Sequence, residues 1–221
     1  MDYSVPEVTS AEREFYGENL ILLEGAISEF LSCMDMIRRY EVQLGNRDPV
    51  ASFQTRIKSA ESMRQKLQRL AFPVTAESAL KNVFDAAGVR LVCPFIQDID
   101  RTAELIRAIP GVQLQTEKDY IRSPKPNGYR SYHMILTMPL RFLGNSPKTV
   151  WLEVQLRTIA MDMWASLEHE LRYKSTRAFS QEDANRLRLC SEAVFEVDRE
   201  MQNIYKGKPA EYEEGEAESA P

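Results

Sequence analysis

"TVWLEVQLRT", residues 149–158, alternates along its whole length. Val150, Leu152, Val154 and Leu156 fall to one side of an extended chain, and Trp151, Glu153, Gln155 and Arg157 to the other. This is the period of a strand with one face on a core. The second face reads equally well as a solvated polar surface or as the floor of a site. A solvated face has little use for Trp151, which keeps the second reading open.

Outward from this strand the periods change. Towards the N-terminus, "NGYRSYHMIL" (127–136) begins in turn chemistry and reads as a second strand. "VQLQT" (112–116) and "GVRLVCPF" (88–95) read as two more. Between these last two, "IDRTAELIRAI" is a helix, expected to be capped by Asp98 and ended by Pro110-Gly111. Short helices are expected at 59–72, ended by Pro73, and at 76–83. Towards the C-terminus a helix is expected from 159 to about 173, after a turn at 144–147. Apolar residues at helical spacing, from Leu20 through Ile27 to Ile37, predict one long helix over about 15–44. Another stripe, Leu187, Cys190, Val194, Val197, Met201 and Ile204, predicts a helix over about 181–206. The order is helices, a β-α-β-β-β centre, then helices. The fold class expected is α+β: a mixed sheet of about 4–5 strands flanked by helices. One domain is expected over 1–206, with its core at about 50–175 and an acidic, disordered tail at 207–221.

Composition narrows the functional classes. The net charge of −5 gives no global attraction to nucleic acid, so an anionic substrate needs a local basic cluster. Cys33, Cys93 and Cys190 show no metal-ligand spacing; Cys93 and Cys190 read as core thiols. No stretch is long enough to span a membrane, the N-terminus lacks a signal pattern, and a cytoplasmic location is expected.

The local cluster is present. Arg56 and Lys58 share a face of an extended chain, and Ser62, Lys66 and Arg69 share a helix face just beyond. A hydroxyl and cations beside a helix start suit phosphate, although a solvated charged helix would look the same. The loop at 117–130 adds Lys118, Arg122, Lys125 and Arg130. Tyr129 can stack on a base, with Asn127 or Arg130 bonding its edge or its phosphates. Asp85 and Glu153 are two carboxylates suited to Mg²⁺. Arg90, inside an apolar strand, needs a partner or a cleft. His169, on an apolar helix, reads as a packed residue.

"DAAGVR" (85–90), "KDYIRSPKPNGYRSYH" (118–133), "EVQLRT" (153–158) and "WASLEHELRYK" (164–174) together resemble the synthetase domain of RelA/SpoT-type alarmone synthetases, and the small alarmone synthetases in particular. The resemblance spans roughly 50–175 and implies a nucleotidyltransferase-like synthetase fold. It implies a pyrophosphokinase that moves the β,γ-diphosphate of ATP to the 3′-hydroxyl of GDP or GTP, with Mg²⁺, releasing AMP in stringent-response signalling. Arg56, Lys58, Ser62, Lys66 and Arg90 then fall on the ATP side, and Asp85 and Glu153 on the metal and catalytic positions. Lys125, Asn127, Tyr129, Arg130, His133, Gln155 and Asp162 fall on the acceptor side, with Tyr129 stacking on guanine. Many members of the resembled family carry Gly before the Arg-x-Lys and Pro after it, where this chain has Thr55 and Ser59. Close relatives carry Asn where it has Asp162. The resemblance also implies a homotetramer, for which the terminal apolar stripes are candidate surfaces. Three other readings compete: a toxin-type relative acting on tRNA 3′-ends, an enzyme accepting adenine nucleotides, and a nucleotide-binding regulator without catalysis. Both carboxylates being present weighs against the last.

Overall fold

The structure, a computed structural model, describes residues 6–143, 148–174 and 178–207; the turn expected at 144–147 and nearly all of the expected acidic tail lie outside them. In chain order the elements are α1 (Ser10–Tyr16), α2 (Leu20–Gln43), β1 (Ser52–Ile57), α3 (Ala60–Arg69), α4 (Ala76–Asn82), β2 (Ala87–Cys93), α5 (Ile96–Arg107), β3 (Gln113–Asp119), β4 (Tyr132–Leu140), β5 (Lys148–Thr158), α6 (Ile159–His169) and α7 (Gln181–Tyr205). A π-helical turn over Glu170–Lys174 extends α6.

The five strands form one sheet in the order β1-β2-β5-β4-β3. Only β2 and β5 run parallel, joined by a crossover that includes α5; the other pairs are antiparallel. The stretch at 149–158 is the central strand. Its apolar residues Val150, Leu152, Val154 and Leu156 are buried with Val89 and Leu91 of β2 and Met134, Leu136 and Met138 of β4. Helices α2 and α5 pack on these strands. Leu23, Ile27 and Phe30 of α2 and Ile99, Ala103 and Ile106 of α5 belong to the same core. The sheet is not covered equally on both sides: its second face keeps a polar row open, and that row holds the site.

Several expectations need correction. The first helix is not continuous, because Gly17 (φ 52) turns the chain between α1 and α2. The sheet has a fifth strand at 52–57, an edge strand too polar for its alternation to stand out. Asp98 does not precede α5. It sits in the first turn and accepts from the Phe95 amide at 3.0 Å. The strand expected at 127–136 starts only at Tyr132, so Asn127 to Ser131 belong to the loop before it. Cys93 is buried as expected, but Cys190 is exposed. His169 is exposed too, on the outer side of α6.

One buried charge fixes where β1 begins. Arg38, near the end of α2, is 6% exposed. Its guanidinium donates to Asp48 at 2.9 Å and 2.7 Å and to the Val50 carbonyl at 3.0 Å. Asp48 also accepts from the Val50 amide at 2.9 Å. Asp48→Ala leaves this guanidinium without its counter-ion. Since Asp48 is itself partly exposed, the expected loss is about 2–3 kcal/mol, read from urea unfolding.

Candidate active site

Strand register lines up polar residues across the open face. Gln54, Arg90, Gln155, His133 and Lys118 pair in succession from β1 to β3. The next row runs Arg56, Gly88, Glu153 and Ile135. Glu153 therefore stands on the central strand with an arginine two strands away and a histidine on the adjacent one.

Arg56 reaches Glu153 by crossing Gly88. Its NH2 donates to Glu153 Oε2 at 3.0 Å. A Cβ built on Gly88 would lie 3.1 Å from Arg56 Nε and 3.3 Å from its Cγ. Glycine here is a passage for a side chain. On the other side His133 Nδ1 lies 3.4 Å from Glu153 Oε1, and Gln155 Nε2 donates to Oε2 at 2.8 Å. Burial pushes the Glu153 carboxyl up, but His133, Arg56 and Gln155 outweigh it and hold the pKa at about 2. Glu153 is thus an anion throughout the neutral range.

Asp85 lies in the turn before β2. Lys58 Nζ approaches its Oδ2 at 3.1 Å and Lys66 Nζ its Oδ1 at 2.8 Å. Burial raises this carboxyl, and the two ammonium groups more than offset that, so its pKa is lowered. Lys58 ends the β1 ladder, donating its amide to the Ala86 carbonyl at 2.9 Å, and Lys66 lies on α3. Ser59 is the N-cap of α3: its Oγ accepts from the Ser62 amide at 3.3 Å and donates to Ser62 Oγ at 2.9 Å. A proline expected here by the resemblance has no side-chain hydroxyl to make this cap.

The residues expected on the acceptor side divide. Thr158 caps α6, its Oγ1 accepting from the Met161 amide at 3.1 Å, and this brings Asp162 back over the strands. Asp162 Oδ1 lies 3.0 Å from Arg157 NH1 and 3.2 Å from Arg90 NH1. Arg90 also donates to Gln54 at 3.1 Å, and burial, then the nearby Arg157, lower its pKa. Arg90 Nε and Arg157 Nε are buried without a hydrogen-bond partner. Tyr129 links the set: Arg157 NH2 donates to its hydroxyl at 2.8 Å, and the hydroxyl lies 2.9 Å from His133 Nε2. Lys125 Nζ stands 4.6 Å from the Tyr129 ring centroid and 4.7 Å from that of Tyr120.

Two expected acceptor residues serve the loop itself in this structure. Asn127 Oδ1 accepts from the Tyr129 amide at 3.2 Å, shaping the turn at Gly128. Arg130 points away from the row, donating to the Ile121 carbonyl at 2.6 Å with its guanidinium 3.9 Å from the Phe195 ring. The sequence reading also missed residues. Arg157, 4% exposed, was visible only as part of the polar face of its strand. Gly88 was legible as a glycine inside a strand, and Tyr120 gave no signal of its own.

These features define a class: a single-sheet α+β synthetase fold with a cation-rich, carboxylate-bearing open face. A family model described as "Region found in RelA / SpoT proteins" matches residues 55–178, and the chain belongs to that family. It is 33% identical over 208 residues to the GTP pyrophosphokinase YwaC of Bacillus subtilis (strain 168), covering 93% of this chain and 99% of that protein. It is 31% identical over 185 residues to the GTP pyrophosphokinase YjbM of the same organism, covering 84% and 86%. The small alarmone synthetase 1 from Bacillus subtilis, solved with its product pppGpp, superposes with a TM-score of 0.78 at 30% identity, covering 88% of this chain and 98% of that one. The small alarmone synthetase 2 from Bacillus subtilis gives 0.75 at 33%, covering 86% and 98%.

The crossing at Gly88 can be tested. Gly88→Ala should displace the flexible Arg56 side chain and lower turnover at least tenfold, about what losing one charge-assisted contact costs. Thermal stability should hardly change. Combined with Arg56→Ala, it should add little further loss, because both changes remove the same contact.

Proposed function

We propose that this chain is a (p)ppGpp synthetase, transferring the β,γ-diphosphate of ATP to the 3′-hydroxyl of GDP or GTP and releasing AMP. The observation that carries this reading is Glu153, held ionised at the centre of the sheet between two differently equipped ends of one face. One end offers Lys58, Ser62, Lys66 and Arg56, which suit a triphosphate. The other offers an aromatic ring, Tyr129, with Lys125, His133, Arg157 and Asp162, which suits a second nucleotide. The relatives named as GTP pyrophosphokinases support the same reaction.

Diphosphate transfer depends on alignment and charge neutralisation more than on covalent chemistry. The acceptor oxygen bonds to the β-phosphorus as its hydroxyl proton passes to Glu153 or to water, and the bond from the β-phosphorus to the bridging oxygen breaks, that oxygen leaving on AMP. Arg56, Lys58 and Lys66 are placed to offset the charge on the phosphates. Arg90 and Arg157 add two guanidinium groups beside Asp162 on the proposed acceptor side. No three His, Cys, Asp or Glu side chains among the described residues form a metal cage. Two ionised carboxylates nonetheless fit Mg²⁺, which takes one or two protein oxygens and completes its shell with phosphate and water. Asp85 and Glu153 would hold it, and bound there it would supply further charge neutralisation at the triphosphate. Glu153 can serve there as a metal ligand or as the acceptor of the 3′-hydroxyl proton.

The apolar residues left outside the core support self-association, and a homotetramer is the assembly we propose. Ile27 is not among them, being fully buried in the core. Leu189, Val197, Met201 and Ile204 of α7 and Ile159, Met163 and Leu167 of α6 are exposed. No helix among the described residues is long and apolar enough to cross a membrane, and we propose action in the cytoplasm.

Incubating the protein with Mg²⁺, ATP and GDP, GTP, an adenine nucleotide or tRNA tests the reaction. Guanine nucleotides should gain the diphosphate and AMP should appear. Transfer to tRNA or an adenine nucleotide instead would establish a competing reading. Glu153→Gln and Asp85→Asn should each nearly abolish transfer with the fold retained. Tyr129→Ala should weaken the acceptor by about 1–3 kcal/mol, the usual worth of a stacked base. Tyr129→Phe should keep acceptor affinity yet lower kcat, because its hydroxyl joins Arg157 to His133. Equal loss of affinity in both variants would reject the stacking role.

A further inference from the structure

Helix α1 makes two contacts whose position is informative. The Tyr16 hydroxyl donates to the Lys58 carbonyl at 2.7 Å. The Ala60 amide donates to Glu12 Oε1 at 3.1 Å. These bonds bracket Ser59, the residue at which β1 turns into α3. The carbonyl is the last before the cap, and the amide is the first of the helix, one of those a helix leaves without an internal partner. Glu12 is itself locked, its Oε2 accepting from the Thr9 amide at 2.9 Å and from the Thr9 hydroxyl. Tyr16 is 1% exposed and Glu12 9%. This carboxylate thus meets a backbone amide 48 residues away in the chain, and its hydrogen bonds to Thr9 and Ala60 hold its pKa below the ordinary value.

The turn carries most of the cations on the proposed donor side. Lys58 is its first residue, while Ser62 and Lys66 lie on the first two turns of α3. The β-ladder reaches only as far as the Lys58 amide, bonded to the Ala86 carbonyl. Beyond it, α3 is oriented by its buried residues Ala60, Met63 and Leu67 and by α1, with Arg64 lying 5.0 Å from the Phe15 ring centroid. Small rotations about Ser59 would move Lys58 and Lys66 relative to each other and to Asp85.

We propose that Glu12 and Tyr16 are positioning residues for the donor nucleotide. They hold the turn at Ser59 from behind, so that Lys58, Ser62 and Lys66 present a preformed cradle to the triphosphate of ATP. The proposal rests on the reading of that cluster as the ATP side. Neither residue need touch substrate: each acts through the backbone of the residues that do. The effect should be selective, because the acceptor residues on β4, the preceding loop and α6 have no bond to α1 among those described above.

Binding of ATP with Mg²⁺ is measured by calorimetry without acceptor, and KM for ATP and for GDP by turnover, in Tyr16→Phe, Glu12→Ala, Glu12→Gln and, as a control, Lys66→Met. Tyr16→Phe keeps the packed ring and removes only the hydroxyl, so it decides the question even if Glu12→Ala fails to fold. Tyr16→Phe and Glu12→Ala should each weaken ATP about fivefold, the worth of one net hydrogen bond, while KM for GDP stays within about twofold. Glu12→Gln should restore only part of the ATP affinity, since its single amide oxygen can accept from Ala60 or from the Thr9 amide but not from both. If Lys66→Met weakens ATP but Tyr16→Phe and Glu12→Ala do not, the brace is wrong and the donor site stands. If Lys66→Met also leaves ATP binding unchanged, the donor-side reading fails and the brace fails with it. A parallel loss of ATP and GDP affinity would mean general loosening and would overturn the proposal.

Discussion

A carboxylate on the central strand of a sheet has no neighbour of its own to neutralise it, and the arrangement around Glu153 follows from that constraint. Gln155 of the same strand donates to it, but its charged partners come from other strands and so depend on register. Arg56 arrives from the edge strand β1 and His133 from β4, with the β2 position between Arg56 and Glu153 cleared by a glycine. A one-residue slip in any of these pairings would send the corresponding side chain to the apolar face. The buried packing of α2 and α5 on that face thus holds the register on which the polar face relies.

The charges of the open face are already paired with one another. Asp85 sits between two lysines, Asp162 between two arginines, and Glu153 beside Arg56 and His133. Such pairing keeps half-buried cations from a solvation penalty and holds them in a narrow range of positions. A nucleotide or metal binding there would replace existing partners, so binding becomes an exchange of ion pairs. Lys125 above the Tyr129 ring follows the same logic: a base stacking on that ring would take the place of a cation.

Much of this was legible in the chain. The alternation at 149–158 set out the central strand and which of its residues share a face, because a strand's period is local. The helix and strand order, the two carboxylates and the cations at 56–66 were equally local signals. The residues that resemble the alarmone synthetases marked Tyr129 and Glu153 before any geometry was known. The first long helix starts at Leu20 and not at about 15, because Gly17 (φ 52) ends α1 just ahead of the apolar stripe, which itself forms one continuous helix. Strand β1 was read only as extended chain at Arg56 and Lys58, because its residues alternate between exposed and half-buried and none is buried.

The sequence by itself determined which segments are extended or helical, which faces are apolar, and which residue types the site would contain. Tertiary structure alone decided which of those residues meet. Arg130 and Tyr129 are neighbours in the chain, yet one turns to Phe195 on α7 and the other to the polar row of the open face. Cys190 and Ile27 both lie on apolar stripes, yet one is exposed and the other buried, because a stripe does not say what will cover it. Arg157 joins Asp162 and Tyr129, and Glu12 reaches Ala60, over separations that no local period encodes. Local patterns report backbone preference and hydrophobicity, whereas long-range contacts depend on how the packed elements stack.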